Sequence, residues 1–560
     1  MQNLLIFFLS FYFLLISIIG YGKLFENLCF GEFNTKDDNL IYTGFYGLMF
    51  VTLISLTTSY IIPHNFYHNL ILHGFGFFYL FFNYNKKDRN YLKYIFYISL
   101  FTASALIISK TNDDFSYYHF PFTKYLTEQK IIFGMGNLNL GFNLLSSLFF
   151  LNSTFYLPFI NFFSFHFSLL YFLIFFNYFL LKEIFTKTND KVIKYLYLFS
   201  FIFFNLSFNR IAEYGTDKAG QLLITILTIK LFKIVCFDKK KNSLKNILYL
   251  LPLFGFCITL KTYFLPYILL SLILLFINNQ IRKNFTFVLF SKSFLFSLFL
   301  LSLIFSHHFI STGCLISPIA LTCFGDYTTW GREINDIKNL SIWLEQWAKA
   351  GAGPGYRIND PLLYIQNLNW LGNWIDKYFL GKFTDQIGIL FSCYIIVIFL
   401  FIKLKFNKSN YRNMNKIVLF YSLLLIVFTV WFLKHPTLRY GGYSIFFLTM
   451  SLPIAFIFSF FVERNNLNKK MSFLIIIVVI IFNIKNFNRI NNEFKRNDIF
   501  KFSNFPFFAI KNTEFTKTKF DSGLTIYKQT NGHCWGIPSP CGLAKDVDKK
   551  GGYYFIQRIN

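Results

Sequence analysis

Two adjacent carboxylates, Asp113 and Asp114, stand in the stretch KTNDDFSYYHFPFTKYLTEQKIIFGMGN at 110–137, directly after an apolar run at 92–109. Tyr117, Tyr118 and His119 follow at once. A carboxylate at the edge of a bilayer is costly unless solvated, paired or used, so the pair reads either as the start of a wet loop or as a general base. Cationic residues lie in later loops: Arg210 and Lys218 with Glu213 and Asp217 in NRIAEYGTDKAG, Lys261 with Tyr263 in TLKTYF, and Lys434, His435 and Arg439 with Tyr443 in LKHPTLRYGGY. This division suits chemistry on a phosphate-bearing substrate, where cations hold the phosphate as it leaves and a carboxylate takes a proton from an incoming hydroxyl.

Each candidate also has a plainer reading. Arg439 can snorkel to lipid phosphates. His435 before Pro436 can simply fill a turn, and Asp217 can pair with its neighbour Lys218. Lys261 is harder to set aside, because it interrupts a nearly continuous apolar run between Ile247 and Ile277. Gly441 and Gly442 suit a phosphate nest or an ordinary turn.

The elements that must position these residues are membrane helices. The chain has 560 residues, 54% of them hydrophobic and only 14% charged, with a mean hydropathy of +0.45. That excludes a set of ordinary soluble domains, and continuous apolar runs exclude the alternation of a β-barrel. The 82 Phe and the net charge of +27 accompany sparse Ala and Pro, a bias of an AT-rich coding sequence, so the charge is no sign of nucleic-acid binding. Apolar segments at 3–21, 43–62, 67–84, 92–109, 156–181, 192–208, 219–236, 246–260, 264–279, 286–306, 386–404, 416–433, 443–462 and 471–486 predict an all-α polytopic protein of about 12–14 transmembrane helices. The first segment lacks a basic leader and a small-residue cleavage site, and reads as a retained helix.

Lys and Arg in the short loops set the expected orientation. Lys86, Lys87 and Arg89; Lys182, Lys187, Lys191 and Lys194; Lys239, Lys240, Lys241 and Lys245; Arg282 and Lys283; Lys403, Lys405, Lys408, Arg412 and Lys416; and Arg464, Lys469 and Lys470 fall on one side. That side reads as cytoplasmic; the 22–42 loop gives no vote for the first three helices. The opposite side receives the loops 110–158 and 307–385 and a tail at 487–560, beyond a transmembrane domain at 1–486. Cys314 and Cys323, and Cys534 and Cys541, each close a short loop containing Pro. Such loops suit disulfides in an oxidising compartment, with free thiols as the alternative. Trp330, Trp343, Trp347, Trp370 and Trp374 suggest amphipathic helices at the membrane surface. The segment NTEFTKTKFDSGLTIYKQ alternates as strands do.

DDFSYYHFP after a membrane span resembles the acidic loop of the GT-C class of polytopic glycosyltransferases, which includes protein O-mannosyltransferase-like and lipid A aminoarabinose-transferase-like enzymes. Together with the segment from TGC to TCF, with LRYGG and with the final CWGIPSPC, it also resembles uncharacterised bacterial integral membrane proteins of that type. The resemblance covers most of the chain as an ordered series of short motifs. It departs from the best-known members in having several spans before the acidic loop and no large C-terminal soluble domain. It implies an inverting transfer of sugar from a polyprenyl-phosphate donor to a hydroxyl acceptor, at the periplasmic or exterior face of a bacterial inner membrane. Asp114, or its neighbour Asp113, would be the general base. Arg439 and Lys261 would stabilise the departing polyprenyl phosphate, with His119, Tyr118, His435, Arg210 and Lys218 contacting substrate or orienting the base. This mechanism requires no cofactor, although the two Asp leave room for a divalent cation. The expected partners are the lipid-linked sugar donor, membrane lipids and an unidentified hydroxyl acceptor on a glycolipid, polysaccharide or protein, and no nucleic acid.

Two other readings compete. An O-antigen ligase or polysaccharide polymerase would rely on basic residues in 307–385 and dispense with the Asp pair. A transporter or flippase of lipid-linked substrate would place ionisable groups at mid-depth in its spans, where this chain has almost no acids.

Overall fold

The computed structural model describes residues 2–31, 40–109, 113–186, 190–213, 215–237, 240–277, 279–353, 356–406, 414–500 and 507–558. Lys110 of the acidic stretch, and Lys187, Lys239, Lys408 and Arg412 of the cationic loops, lie outside these residues. Among the described residues nine helices are long and apolar enough to cross a membrane: Gln2–Phe30, Phe162–Phe185, Asp217–Cys236, Ser243–Leu260, Lys292–Thr312, Leu371–Phe401, Met414–Lys434, Leu438–Ser459 and Leu467–Arg496. The chain is a helical, polytopic membrane protein by length and composition of these helices.

Fewer helices meet that measure among the described residues than the 12–14 spans expected, because several of the expected segments form shorter helices. Thr43–Thr58, Phe66–Phe82, Lys86–Thr102 and Lys191–Ser207 are 16, 17, 17 and 17 residues long. At roughly 1.5 Å per residue they reach about 24–26 Å, at the short end of what crosses a hydrocarbon core of about 30 Å. The expected span at 264–279 is divided: a 3₁₀ stretch, Thr262–Tyr267, contains Pro266 and leads into a short helix, Ile268–Ile277. Proline cannot donate to the helical ladder, so the division falls beside it.

Two loop boundaries also fall elsewhere than expected. The 307–385 segment loses both ends to helices: His307 and His308 are buried in Lys292–Thr312, and Leu371–Phe401 is helical throughout. The last apolar helix runs on past 486 to Arg496.

Burial separates core from periphery. The Phe162–Phe185 and Asp217–Cys236 spans are 94% and 89% buried, against 28% for Leu371–Phe401 and 22% for Leu467–Arg496, so the former pair forms the centre and the latter pair presents its apolar side chains outward. Gln2–Phe30 and Phe66–Phe82 cross at glycine: a Cβ on Gly20 would lie 1.9 Å from the Gly76 carbonyl oxygen. Close helix approach of this kind depends on small residues.

At one end of the bundle an antiparallel pair, Ile402–Phe406 with Phe461–Glu463, ties two cationic loops together. Beyond the last helix the tail forms two antiparallel hairpins. Phe515–Lys519 pairs with Thr525–Gln529 in the register Lys517 to Tyr527, and Val547–Lys550 pairs with Tyr553–Ile556. Disulfides join Cys314 to Cys323 and Cys534 to Cys541. The tail lies on the acidic stretch. Ser116 Oγ is 2.8 Å from His533 Nδ1, Lys124 Nζ donates to the carbonyls of Gly536 and Ile537 at 2.7 and 2.8 Å, and Phe133 stacks on Phe555 at 4.4 Å between centroids.

Candidate functional site

The acidic stretch is built as a π-helical turn, Phe115–His119, running into the helix Phe120–Glu128. Pro121 falls in the first turn of that helix, where a missing N–H costs nothing. Phe115 and Phe120 are fully buried and anchor the turn from below. Arg489 fixes the approach to it: buried in Leu467–Arg496, it donates to the carbonyls of Ser104 at 3.1 Å and Ile107 at 2.9 Å, and also to Ile108. The charge of a distant helix thus caps the 3₁₀ stretch Ala103–Leu106 that precedes the acids.

Of the two carboxylates, the structure brings one to the later cations. Asp114 forms an ion pair with Nη2 of Arg439. Asp113 is exposed and makes no ion pair among the described residues. Adjacent residues on a helical turn point about 100° apart, which is why only one can face inward.

Arg439 is the centre of the cluster. Its Nε lies 2.7 Å from Asp217 Oδ2, and Lys261 Nζ lies 3.7 Å from Asp217 Oδ1. Four groups from four separate segments therefore alternate in sign as Asp114, Arg439, Asp217, Lys261, and their formal charges cancel. Asp217 sits in the first turn of its helix, where the positive end of the helix dipole favours a carboxylate. Lys261 follows the last residue of the Lys240–Leu260 helix in extended conformation.

The backbone carrying Arg439 is held as closely as its side chain. Gln221, one turn beyond Asp217, donates to the carbonyls of Leu438 at 3.2 Å and Arg439 at 3.1 Å. It also accepts from the Ser444 N–H at 3.2 Å. Tyr263 donates to the Arg439 carbonyl at 3.3 Å, and the Leu438 N–H donates to Tyr378 Oη at 2.7 Å. Gly441 takes φ +83°, a left-handed conformation that suits glycine. Asp217 and Gln221, at i and i+4 on one helix face, thus grip the side chain and the main chain of the same arginine.

Burial and charge oppose one another at Asp114. Burial alone would raise its carboxyl, but the Arg439 guanidinium and the neighbouring His119 outweigh it and hold Asp114 below the usual carboxylate range. Burial lowers the Lys261 ammonium despite the pull of Asp217. His119 and Tyr118 lie behind Asp114 with ring centroids 4.2 Å apart; burial pushes His119 down to about 3 and Tyr118 well up. His435 stands beside Tyr440 at 5.5 Å between centroids, and burial pushes it down to about 4.

Two expected substrate contacts are engaged elsewhere. Arg210 pairs with Glu213 at 2.8 Å, and Lys218 donates to the Arg210 carbonyl at 2.6 Å. Neither is hydrogen-bonded or ion-paired to Asp114, Asp217, Lys261 or Arg439 among the described residues. The pairing of Asp217 with Lys218 is replaced by that of Asp217 with Arg439 and Lys261, because consecutive residues leave a helix on different faces. Asp217 as bridge and Gln221 as backbone clamp are the residues that loop-by-loop reading passes over; the polar spacing of DKAGQ at the head of an apolar helix is the signal that could have found them. Among the described residues no three His, Cys, Asp or Glu side chains are grouped as metal ligands.

A family model described as Domain of unknown function (DUF8201) matches residues 4–448. The chain belongs to this family. The match includes all four members of the charge cluster and ends before the tail hairpins. No curated protein and no solved structure matches the chain.

Proposed function

We propose that this protein is a membrane glycosyltransferase of GT-C type that moves a sugar from a polyprenyl-phosphate donor to a hydroxyl acceptor. The observation that carries the reading is the convergence of Asp114, Arg439, Asp217 and Lys261 from four separate segments, the outermost 325 residues apart. A lipid-linked phosphodiester would set its phosphate against Arg439 and Lys261, which disperse charge as the bond to the anomeric carbon breaks. The acceptor oxygen forms the new bond to that carbon, its proton passes to Asp114, and the electron pair of the broken bond leaves on polyprenyl phosphate. Attack opposite the departing phosphate inverts the anomeric centre. Asp217 and Gln221 act through Arg439 and Lys261 as positioning residues.

The extracytoplasmic face of a bacterial inner membrane is the proposed place of reaction. Supporting it are the two disulfides in segments at the cluster's end of the bundle and the concentration of Lys and Arg in loops at the other end. The acceptor is a hydroxyl of a glycolipid, polysaccharide or protein, and the mechanism calls for no metal.

Separate Asp113→Asn and Asp114→Asn variants, assayed for sugar transfer in membranes, test the assignment. Asp113→Asn is expected to retain transfer, while Asp114→Asn loses about 10²-fold or more, the typical contribution of a general base. Full activity in both variants would overturn it.

A further inference from the structure

The base and the phosphate contacts of the proposed reaction neutralise one another as the protein stands. Arg439 spends its Nη2 on Asp114, and a carboxylate so paired is a poor proton acceptor. The two carboxylates on Arg439 are not equivalent, however. Asp217 is 9% exposed, binds Lys261 as well, and stands on a long buried helix. Asp114 is 30% exposed, has one ion-pair partner among the described residues, and stands at the head of a short irregular turn. An incoming anion of phosphate type would therefore replace Asp114 and leave Asp217 in place. Arg439 favours such an exchange, since its planar fork matches phosphate and carboxylate oxygens alike.

We infer that Asp114 occupies the position of the ligand's phosphate on Arg439, and that binding of a lipid-linked phosphate displaces it. This inference rests on the reading of Arg439 and Lys261 as phosphate contacts. Displacement frees Asp114 from its cation beside the bound lipid phosphate, so the base is released only where that phosphate is seated. In the unloaded protein the closed pair keeps the carboxylate from activating water.

The consequence for binding is opposite to that of a structural role. The full-length protein in nanodiscs is titrated with radiolabelled polyprenyl monophosphate, and in parallel with inorganic phosphate. Asp114→Asn removes the competing carboxylate at nearly constant shape, so polyprenyl phosphate is expected to bind about tenfold tighter, equivalent to about 1.4 kcal/mol. Asp113→Asn is expected to bind as the wild type does. Tightening with polyprenyl phosphate but not with inorganic phosphate identifies a lipid-borne ligand; equal tightening with both identifies the phosphate alone as what displaces Asp114. Unchanged or weaker binding in Asp114→Asn overturns the exchange. A measurement on the wild type stands beside it: carbodiimide labelling of Asp114, read by mass spectrometry, is expected to rise on saturation with polyprenyl phosphate, and constant labelling overturns the exchange. The two readings fail separately. Tightening without sugar transfer by any variant would remove the transferase reading alone, and transfer without tightening would remove the exchange alone.

Discussion

Replacing Asp217 by Asn should destabilise the protein far more than replacing Asp114 by Asn, although both contact the same arginine. Asp217 is 9% exposed and lies 2.7 Å from Arg439 and 3.7 Å from Lys261. Its loss leaves Lys261, with a side chain 12% exposed, without that carboxylate, and leaves Arg439, 32% exposed, with Asp114 alone. Breaking a buried pair by removing one partner costs about 3–5 kcal/mol. Asp114 is 30% exposed and serves one cation that retains Asp217. Its removal belongs near the surface-pair range of about 0.2–1 kcal/mol. The expected gap is therefore about 2–5 kcal/mol. Equilibrium unfolding of the two variants in the same detergent, at neutral pH and fixed salt, measures it. Equal destabilisation, or a larger effect at Asp114, would refute the assignment of Asp217 as the bridge.

Other outcomes follow from the same geometry. Gln221→Leu removes two hydrogen bonds to the Leu438 and Arg439 carbonyls; it is expected to cost about 1–3 kcal/mol of stability and to weaken polyprenyl-phosphate binding, while Gln221→Glu, which keeps an acceptor for the Ser444 N–H, loses only the donated pair. Wild-type affinity in Gln221→Leu would contradict its role as a clamp. Stability should fall as pH drops from about 6.5, the ordinary imidazole value, because the unfolded chain then binds protons that folded His119 and His435, at about 3 and 4, do not. Each group contributes a slope of about 1.4 kcal/mol per pH unit until its folded value is reached. Asp114, Asp217, Lys261 and Arg439 all act on His119, so the test compares the wild type with His119→Gln, whose slope between pH 6 and pH 5 should be shallower by one proton. Asp114 adds nothing in that window: its folded value is depressed, so its stabilisation is present above about 3.9 and is lost only as pH falls through the folded value.

Much of this was legible in the sequence, for reasons that differ from residue to residue. Asp114, Lys261 and Arg439 stand out because charge is rare in an apolar chain, and each sits at a break between helical segments. The Cys pairs stand out because their spacing closes short loops. Asp217 was hidden by Lys218, a partner adjacent in sequence that helix geometry turns away. Gln221 carries no charge, so its two carbonyl contacts left no trace in composition. Span ends were misplaced where polar residues are buried inside helices. His307 and His308 closed an apolar run too early, although His307 is satisfied by the Leu56 carbonyl at 2.8 Å. At the other extreme, apolar sequence continued where Pro266 divides the helix. The tail hairpin was visible as alternation in NTEFTKTKFDSGLTIYKQ, but its docking on the acidic stretch depends on contacts such as Ser116 with His533, which lie far apart in sequence.

The charge cluster is proposed to break a bond between a sugar and a lipid-borne phosphate. The most direct test is reconstitution of the purified protein in vesicles whose polyprenyl-phosphate sugar is labelled in both the sugar and the prenyl chain, with acceptor-rich membrane extract outside. The sugar label is expected to leave the lipid, the prenyl label to be recovered as polyprenyl monophosphate, and Asp114→Asn to stop both. Recovery of the doubly labelled donor intact on the opposite leaflet, with no polyprenyl monophosphate formed, would contradict it and mark the protein as a carrier of lipid-linked substrate.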